Sequence, residues 1–394
     1  MDFDLPPAGI LLPLGIHQSI SIKGLGALSA LGVDLPSHLD SIARGVVPFK
    51  PLGELLGHDS THAKTPGAWI ADRESLTSRK WGPATMAALH AAREAIADAK
   101  WSENDLRDAA LVVGTSRGNA AGWLGPWSGR RSFKLMAASN TIHSEPASAI
   151  SIEFGIRGPN HVVASGCAAG LDAVGVAMMM LQCGLASRAL AVAVDLPLVP
   201  MLLNQYASSG LLSSSSKLDP YHAATSGFVP AEAAAAMAIE VGGGDRPQLL
   251  HYACNSDAAN PVGIPSDGGR TAELFDHPHA RGVSALCPHA TGTMVQAIAD
   301  PAWMSRAFTG QKPPLILLKP FMGHSIGASG LIESAILAGF LQKRQLPGNL
   351  IGLTAPEGFE LPHESFEVSG PVAKVSNGMG GHNALLVISP ASVP

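Results

Sequence analysis

Two segments of the chain, 160 residues apart, have similar sequences. Residues 167–182 read CAAGLDAVGVAMMMLQ and residues 327–342 read GASGLIESAILAGFLQ, with five identities in sixteen ungapped positions. Shared helix composition alone could produce such matches among small and apolar residues. A single pair of copies at this spacing is typical of two related halves, because a solenoid needs many copies of a shorter unit. We therefore expect a duplicated fold.

Composition limits the classes of function. With 394 residues, the chain is long enough for two halves around a large core. Hydrophobic residues make up 46% and charged residues only 14%, which favours a surface partly buried against another subunit. A net charge of −5 argues against a protein that coats nucleic acid.

The sequence also indicates a compartment. The first residues, MDFDLPP, are acidic and lack the apolar core of a signal peptide, and the most apolar stretch (172–203) is interrupted by polar and charged residues. We therefore predict no membrane span. The four cysteines show neither metal-ligand spacing nor disulfide density, so we expect no metal and a reducing, cytoplasmic location.

Strand-like and helix-like runs alternate along the chain. This alternation predicts α/β layers, and the glycine-rich segment VGGGDRP (241–247) is the best boundary between an N-terminal half (1–245) and a C-terminal half (246–394). Residues 117–145 lack periodicity and are predicted to form a surface excursion. The predicted strands are 20–28, 110–116, 162–166, 189–194, 249–255, 315–320 and 384–389, and the clearest predicted helices are 36–44, 84–100, the run after Cys167, and 328–343.

Cys167 lies between an apolar strand pattern and a long apolar helix pattern. A cysteine at a helix N-terminus is next to unpaired N–H groups and the positive end of the helix dipole, which favour the nucleophilic thiolate. Small neighbours such as Gly166 and Gly170 leave room for a substrate to approach the sulfur. The alternative is a buried cysteine that only fills space.

Three further segments carry candidate site residues. His289 lies in CPHATGT (287–293), and Lys319 and His324 follow an apolar run in LLKPFMGHSIGASG (317–330). A glycine loop begins SNGMGGHNALLVIS (376–389). Ligand sites gather at the carboxyl ends of strands, so these positions suit a site. Taken one at a time, the histidines could equally be core or surface residues, and the glycines an ordinary turn.

Taken together, these segments resemble the β-ketoacyl-acyl-carrier-protein synthases of the thiolase-like superfamily, closest to the elongating type with a Cys–His–His set. The resemblance implies a five-layered αβαβα fold of two duplicated halves, usually a homodimer. It also implies an acyl carrier protein as partner and no free cofactor, because phosphopantetheine arrives on the carrier. The resemblance runs from about residue 20 to the C-terminus, through segments 23–32, 91–99, 155–170, 226–240, 255–261, 288–293, 319–333 and 376–383.

By this resemblance, Cys167 is the acyl-accepting nucleophile. His289 and His324 hold the malonyl thioester carbonyl and assist decarboxylation, since an enolate needs N–H donors. Lys319 lies near them, and its carboxylate partner is expected at Asp300, eleven residues after the first histidine.

The resemblance implies supporting residues as well. The backbone N–H groups of Cys167 and Met379, the latter between Gly378 and Gly380, form the oxyanion hole. Three basic residues in the predicted excursion, Arg130, Arg131 and Lys134, are expected to dock the acidic carrier. The alternative is that they form an ordinary solvated surface. The residues expected to line the substrate pocket are Arg117, Thr291 and Thr293, and an arginine where small or apolar residues are usual suggests a short or polar acyl chain unless it points to solvent.

Departures from the family pattern keep alternatives open. Thr225 and Ser226 replace an Arg-Asp pair, Ala297 replaces an aspartate, and Met379 replaces an aromatic residue. A degradative thiolase would need a cysteine in the last glycine loop, and an initiating synthase usually has an asparagine for one histidine; neither pattern fits. A non-catalytic or partner-dependent chain-length subunit, paired with another ketosynthase subunit, stays open, although such subunits usually lack the cysteine. The sequence favours a decarboxylative condensing enzyme of fatty-acid or polyketide synthesis.

Overall fold

The structure is a computed structural model that describes residues 19–124 and 143–391. Its strands are β1 (Ile20–Ser29), β2 (Lys50–Pro51), β3 (Pro66–Gly67), β4 (Ala110–Gly114), β5 (Asn160–Val163), β6 (Arg188–Asp195), β7 (Ala233–Val241), β8 (Gln248–Ser256), β9 (Ala285–Cys287), β10 (Gln345–Leu346), β11 (Phe366–Glu367), β12 (Val372–Gly378) and β13 (His382–Ser389). Its α-helices are α1 (Leu35–Ala43), α2 (Gly53–Leu56), α3 (Pro83–Ala99), α4 (Glu103–Arg107), α5 (Ala120–Leu124), α6 (Glu145–Phe154), α7 (Ala169–Gln182), α8 (Pro200–Ser208), α9 (Pro278–Arg281), α10 (Met294–Ala307), α11 (Lys319–Met322) and α12 (Ser329–Leu341).

Two sets of strands with the same topology meet in the main sheet. Its order is β5-β4-β6-β7-β1-β8-β13-β12-β9, and β1 pairs with β8 at only two positions. The first set consists of β1, β4, β5, β6 and β7. Numbered first to fifth in chain order, these strands lie side by side in the order third, second, fourth, fifth, first. The second set has the same order, because Leu315 bridges Leu286 of β9 in parallel and takes the third place. Parallel and antiparallel pairings also agree between the sets.

Three apolar cores separate the layers. Adjacent strand residues point to opposite faces, so Val112 of β4 lies in the central core and Leu111 in an outer core with α3. In the second half, Leu386 of β13 lies in the central core and Leu385 in the other outer core with Trp303 of α10. Helices α7 and α12 contribute to the central core, between the two sets of strands. This is the five-layered αβαβα fold that the resemblance implies.

The repeated segments pack against each other. Gly170 of α7 and Gly330 of α12 are matched positions, and neither has room for a side chain. A Cβ on Gly170 would lie 2.8 Å from the backbone nitrogen of Leu331, and one on Gly330 would lie 2.9 Å from that of Leu171. The identical Gly-Leu pairs are therefore the contact between the two central helices, which explains why both copies keep them.

Two local predictions were wrong. We expected a strand over 315–320, but only Leu315 makes a bridge and the chain enters α11 at Lys319. The predicted glycine loop begins later than expected, because residues 376–378 complete β12. Strand β7 was not predicted from AAAAMAIEV, because alanine is depleted in strands. Its small residues nevertheless suit a strand buried between β1 and β6. Residues 242–247 connect β7 to β8, and the division of halves at residue 245 stays a prediction.

No helix among the described residues is long and apolar enough to cross a membrane. Most of the predicted surface excursion, residues 125–142, lies outside the described residues.

Candidate active site

Cys167 lies in a tight turn at the start of a central helix. Gly166 has a φ of +63°, which glycine adopts without steric cost, and Gly166–Ala168 form one 3₁₀ turn before α7. The loop after β12 crosses this turn, and the backbone N–H of Met379 lies near enough to the Cys167 sulfur to favour its thiolate. Gly380 gives that loop its bend, with a φ of +89°, and Gly378 packs on the Ser165 carbonyl. The glycines therefore bring a backbone donor to the cysteine.

Burial dominates the acidity of this cysteine. It raises the pKa of the Cys167 thiol to about 11, although the positive charges of Arg117 and Lys319 act in the opposite direction. In the resting protein, burial therefore outweighs the preference for the thiolate that we expect from the helix start. A proton acceptor is close by, because His324 Nε2 lies 3.3 Å from Cys167 Sγ.

Both candidate histidines are buried and neutral. Burial lowers the pKa of His289 and of His324 well below the usual value, and the positive charge of Lys319 lowers both further. Their rings meet edge to face, with centroids 5.3 Å apart. His289 Nδ1 is buried and has no hydrogen-bond partner among the described residues. A neutral imidazole can donate one proton and accept another, so this pair can hold a developing anion.

A serine hydroxyl governs the tautomer of His324. Ser329 Oγ lies 2.9 Å from His324 Nδ1, and it accepts the Ser325 N–H at 3.0 Å. Its proton can go to His324 Nδ1 or to Ser325 Oγ, 3.2 Å away. When Nδ1 accepts the Ser329 hydroxyl, Nε2 carries the proton and can donate it on the side of Cys167. When Nδ1 carries the proton, Nε2 is free to accept one, so His324 can act as a donor and as a base.

The predicted ion pair between Lys319 and Asp300 is wrong. Lys319 Nζ instead donates to Glu333 Oε1 at 2.6 Å, and both side chains are 1% exposed. Asp300 Oδ2 accepts the N–H of Ala290 at 2.9 Å, so this carboxylate fixes the loop of His289. The other donors to Asp300 are Gln296, Trp303 and Tyr221. Four donors satisfy Asp300 without a lysine.

A cavity of about 500 Å³ opens onto Cys167. Arg117 lines it instead of pointing to solvent, and its Nε donates to the hydroxyl of Tyr206 at 3.1 Å. Phe228 packs edge to face on Tyr206 and on His324. Other lining residues include the predicted Thr291 and Thr293, together with Gln296, Asn377 and Met379. The cavity combines an apolar wall with a cationic side chain.

Several site residues were missed from the sequence. Glu333 is the only charged residue of α12, and Lys374 is the only charged residue of β12. Single charges in otherwise apolar, buried segments need partners, and that signal could have found both. Tyr206 lies on a helix with no distinctive motif, so nothing in the sequence indicated it. Arg130, Arg131 and Lys134 lie outside the described residues.

One metal-capable cluster exists among the described residues. Ligand atoms of Cys167, His289 and His324 lie within 4.8 Å of one another. The positive charges of two buried lysines, Lys319 and Lys374, lower the pKa of both histidines. The same charges repel a metal cation from this cluster. We assign no metal to these residues.

Comparisons with known proteins identify the family and the fold. The family model "Beta-ketoacyl synthase, N-terminal domain" matches residues 18–241. The 3-oxoacyl-[acyl-carrier-protein] synthase 2 of Staphylococcus aureus (strain N315) is 24% identical, over 94% of this chain and 98% of its own length. A type II polyketide ketosynthase, solved in complex with its acyl-carrier protein, superposes with a TM-score of 0.82 at 22% identity, covering 95% of this chain and all of that chain.

A second solved structure, the ishigamide ketosynthase/chain length factor, superposes with a TM-score of 0.82 at 19% identity, covering 96% of this chain and 100% of that chain. These structural likenesses establish the fold. The family match spans more than half of the chain, so the chain belongs to the β-ketoacyl synthase family of condensing enzymes.

Proposed function

We propose that this protein catalyses the decarboxylative condensation of an acyl group on Cys167 with a malonyl group on an acyl carrier protein. The 3.3 Å approach of His324 Nε2 to Cys167 Sγ, with His289 beside it, is the observation that carries the proposal. The product would be a 3-oxoacyl thioester on the carrier. The phosphopantetheine arm of the carrier supplies the thiol, so no free cofactor is needed.

Loading transfers the acyl group from the carrier to the enzyme. His324 Nε2 takes the proton of the Cys167 thiol as the sulfur attacks the acyl thioester. The tetrahedral oxyanion would accept the N–H groups of Cys167 and Met379. Collapse breaks the bond to the carrier sulfur, which leaves as a thiol with the proton that His324 returns.

Condensation then uses the histidines as donors. The malonyl carbon–carbon bond breaks, carbon dioxide leaves, and the electron pair forms an enolate whose oxygen accepts N–H bonds from His289 and His324. The enolate carbon attacks the acyl carbonyl on Cys167. Cleavage of the carbon–sulfur bond releases the 3-oxoacyl carrier, and one proton from solvent restores the thiol.

The cavity supports a short or polar acyl chain. Arg117 and the Tyr206 hydroxyl form one wall, and placing a fully apolar chain against a cationic side chain is costly. We propose that Arg117 binds an oxygen on the acyl group. The carrier and a second ketosynthase subunit, identical or different, are the proposed partners, and a cytoplasmic location stays a prediction.

The test separates catalysis from a non-catalytic subunit role. Purified protein is given acyl-carrier and malonyl-carrier, and the acylation of Cys167 and the release of carbon dioxide are measured separately. We expect both in the wild type and neither acyl-enzyme nor condensation in Cys167→Ala. If the chain-length alternative is correct, the protein alone will be inert, and Cys167→Ala will have no effect on the activity of its partner subunit.

A further inference from the structure

We propose that Lys374 is a positioning residue for His289 and His324, acting as the second cation of a buried Lys319–Glu333–Lys374 cluster. In this role it anchors the backbone before His289 and adds positive charge beneath the place where the enolate forms. The inference rests on the proposed function for its catalytic consequence.

The Lys374 ammonium has an acceptor for each of its three protons. Its Nζ lies 2.5 Å from Glu333 Oε2, 3.1 Å from the carbonyl oxygen of Pro288 and 2.9 Å from that of Val375. The side chain is 0% exposed. Three acceptors around a buried ammonium hold it in the charged form. Because Pro288 precedes His289, one of these bonds also fixes the histidine loop.

The cluster has an excess positive charge. Two lysines share one carboxylate, because Glu333 Oε1 receives Lys319 and Glu333 Oε2 receives Lys374, so the sum is two minus one, or +1. Cys287, whose sulfur lies 3.8 Å from Glu333 Oε2, does not cancel this charge, since burial raises the pKa of its thiol to about 11.

Other titratable groups around Lys374 lie on neighbouring elements. The carboxylate of Asp300 on α10 attracts the Lys374 ammonium electrostatically, but its hydrogen bonds come from four other donors. The two histidines also lie within reach of the Lys374 charge. Burial and the charge of Lys319 are the larger causes that lower the pKa of each histidine, and the charge of Lys374 lowers it further. The same potential that keeps the imidazoles neutral attracts an enolate.

The test uses the full-length protein with Lys374 replaced by Met, Gln and Arg. Lys374→Met leaves Glu333 paired one-to-one with Lys319, so no carboxylate is stranded and the fold should persist. Lys374→Gln keeps amide donors without charge, and Lys374→Arg keeps the charge. Lys23, a lysine on β1, supplies the matched control Lys23→Met.

We expect both neutral variants to load Cys167 near the wild-type rate at pH 7.5 but to release carbon dioxide from malonyl-carrier about tenfold more slowly. Lys374→Arg should recover most of that loss. In the neutral variants the histidine pKa values should rise, so the acid limb of the loading rate should move to higher pH, because protonated His324 cannot accept the thiol proton. Histidine pKa values measured by NMR provide a readout that does not depend on activity.

Unchanged decarboxylation together with unchanged histidine pKa values in both neutral variants would overturn the proposal. So would failure of both to fold, or equal loss of loading and decarboxylation that Arg does not rescue, since each result indicates a purely structural lysine. If the wild type neither loads nor decarboxylates, the proposed function fails, whereas a rise of the histidine pKa values would still support the electrostatic role of Lys374.

Discussion

The two halves of the molecule contain the same turn with different residues in it. In the first half, Gly166 with a φ of +63° precedes Cys167; in the second, Ile326 with a φ of +49° precedes Gly327. In both halves the backbone forms a single 3₁₀ turn, and a central helix follows it directly. The backbone of the turn is therefore shared by both halves, and the chemistry depends on which side chains the turn carries.

Packing explains why the two turns carry different residues. A Cβ on Gly327 would lie 2.6 Å from Asp195 Oδ2 and 2.7 Å from the backbone nitrogen of Ser116, so the second turn has no room for a nucleophile. Its β-branched residue, Ile326, instead packs with Cys167 in the pocket wall. A left-handed conformation costs a residue other than glycine about 1–2 kcal/mol. Under the proposed function, the first turn carries the nucleophile and the second turn forms part of the pocket wall.

The helices that follow these turns differ in how their single carboxylate is paired. Glu333 of α12 holds two lysines, whereas Asp172 of α7 accepts the Tyr252 hydroxyl at 2.8 Å and lies 2.7 Å from His382 Nε2. Glu333→Gln should destabilise the protein by about 3–5 kcal/mol, because it leaves two buried lysines without a counter-charge. Denaturant unfolding measures this.

The matched substitution Asp172→Asn strands no lysine, so it should cost only about 1–2 kcal/mol. Equal losses for the two variants would contradict the difference that we draw between the two helices.

Some of this site could be predicted from the sequence and some could not. The repeat and most of the buried strands follow from local patterns of small and apolar residues, whereas Cys167, His289 and His324 were identified as one set only by the family resemblance. Ion pairing is different, because it depends on which side chains meet across layers. The family resemblance implied Asp300 as the partner of Lys319, but α10 turns that carboxylate toward its own loop and the lysine meets Glu333 instead.

The full acidity of Cys167 could not be predicted for a similar reason. The helix start is a local feature and can be read from sequence, whereas burial depends on the whole fold. The loop of Met379 and the second turn together enclose the sulfur, and this burial raises the pKa of the thiol.

The two histidines should separate by reaction step. His289→Ala should load Cys167 normally but lose about 10²–10³ in malonyl decarboxylation, since it removes one oxyanion donor. His324→Ala should also slow loading, because a thiol with a raised pKa needs the base at 3.3 Å. Single-turnover loading and carbon dioxide release measure the two steps.

A buried histidine of α1, His38, provides the control, and His38→Ala should change stability without a selective effect on either step. Normal decarboxylation in His289→Ala would refute its assigned role.

The claim that the second turn must contain glycine can be tested directly. Gly327→Ala should cost about 1–3 kcal/mol, because its Cβ would overlap Asp195 and Ser116. The control is Gly282→Ala, whose added Cβ meets nothing within 4 Å. Thermal unfolding compares them, and an unaffected Gly327→Ala would show that the turn tolerates a side chain.

The smallest expected effect concerns the pocket wall. Arg117→Leu should shift the ratio of loading rates toward a saturated six-carbon chain over an oxygen-bearing four-carbon chain by about tenfold, because it removes a charged donor from the cavity. Arg157, which is exposed, gives the control Arg157→Leu. Competition between the two acyl-carriers measures the ratio, and an unchanged ratio would remove Arg117 from substrate selection.

The most direct test of the account is the mass of the cysteine-containing peptides after incubation with acyl-carrier. The account predicts one acyl group per chain, on Cys167, released when malonyl-carrier is added and absent from Cys167→Ser. Cys183 and Cys254 are exposed and serve as internal controls for non-specific acylation. Condensation that proceeds with Cys167 unmodified, or with the acyl group on another cysteine, would contradict the assignment of the first turn as the nucleophile.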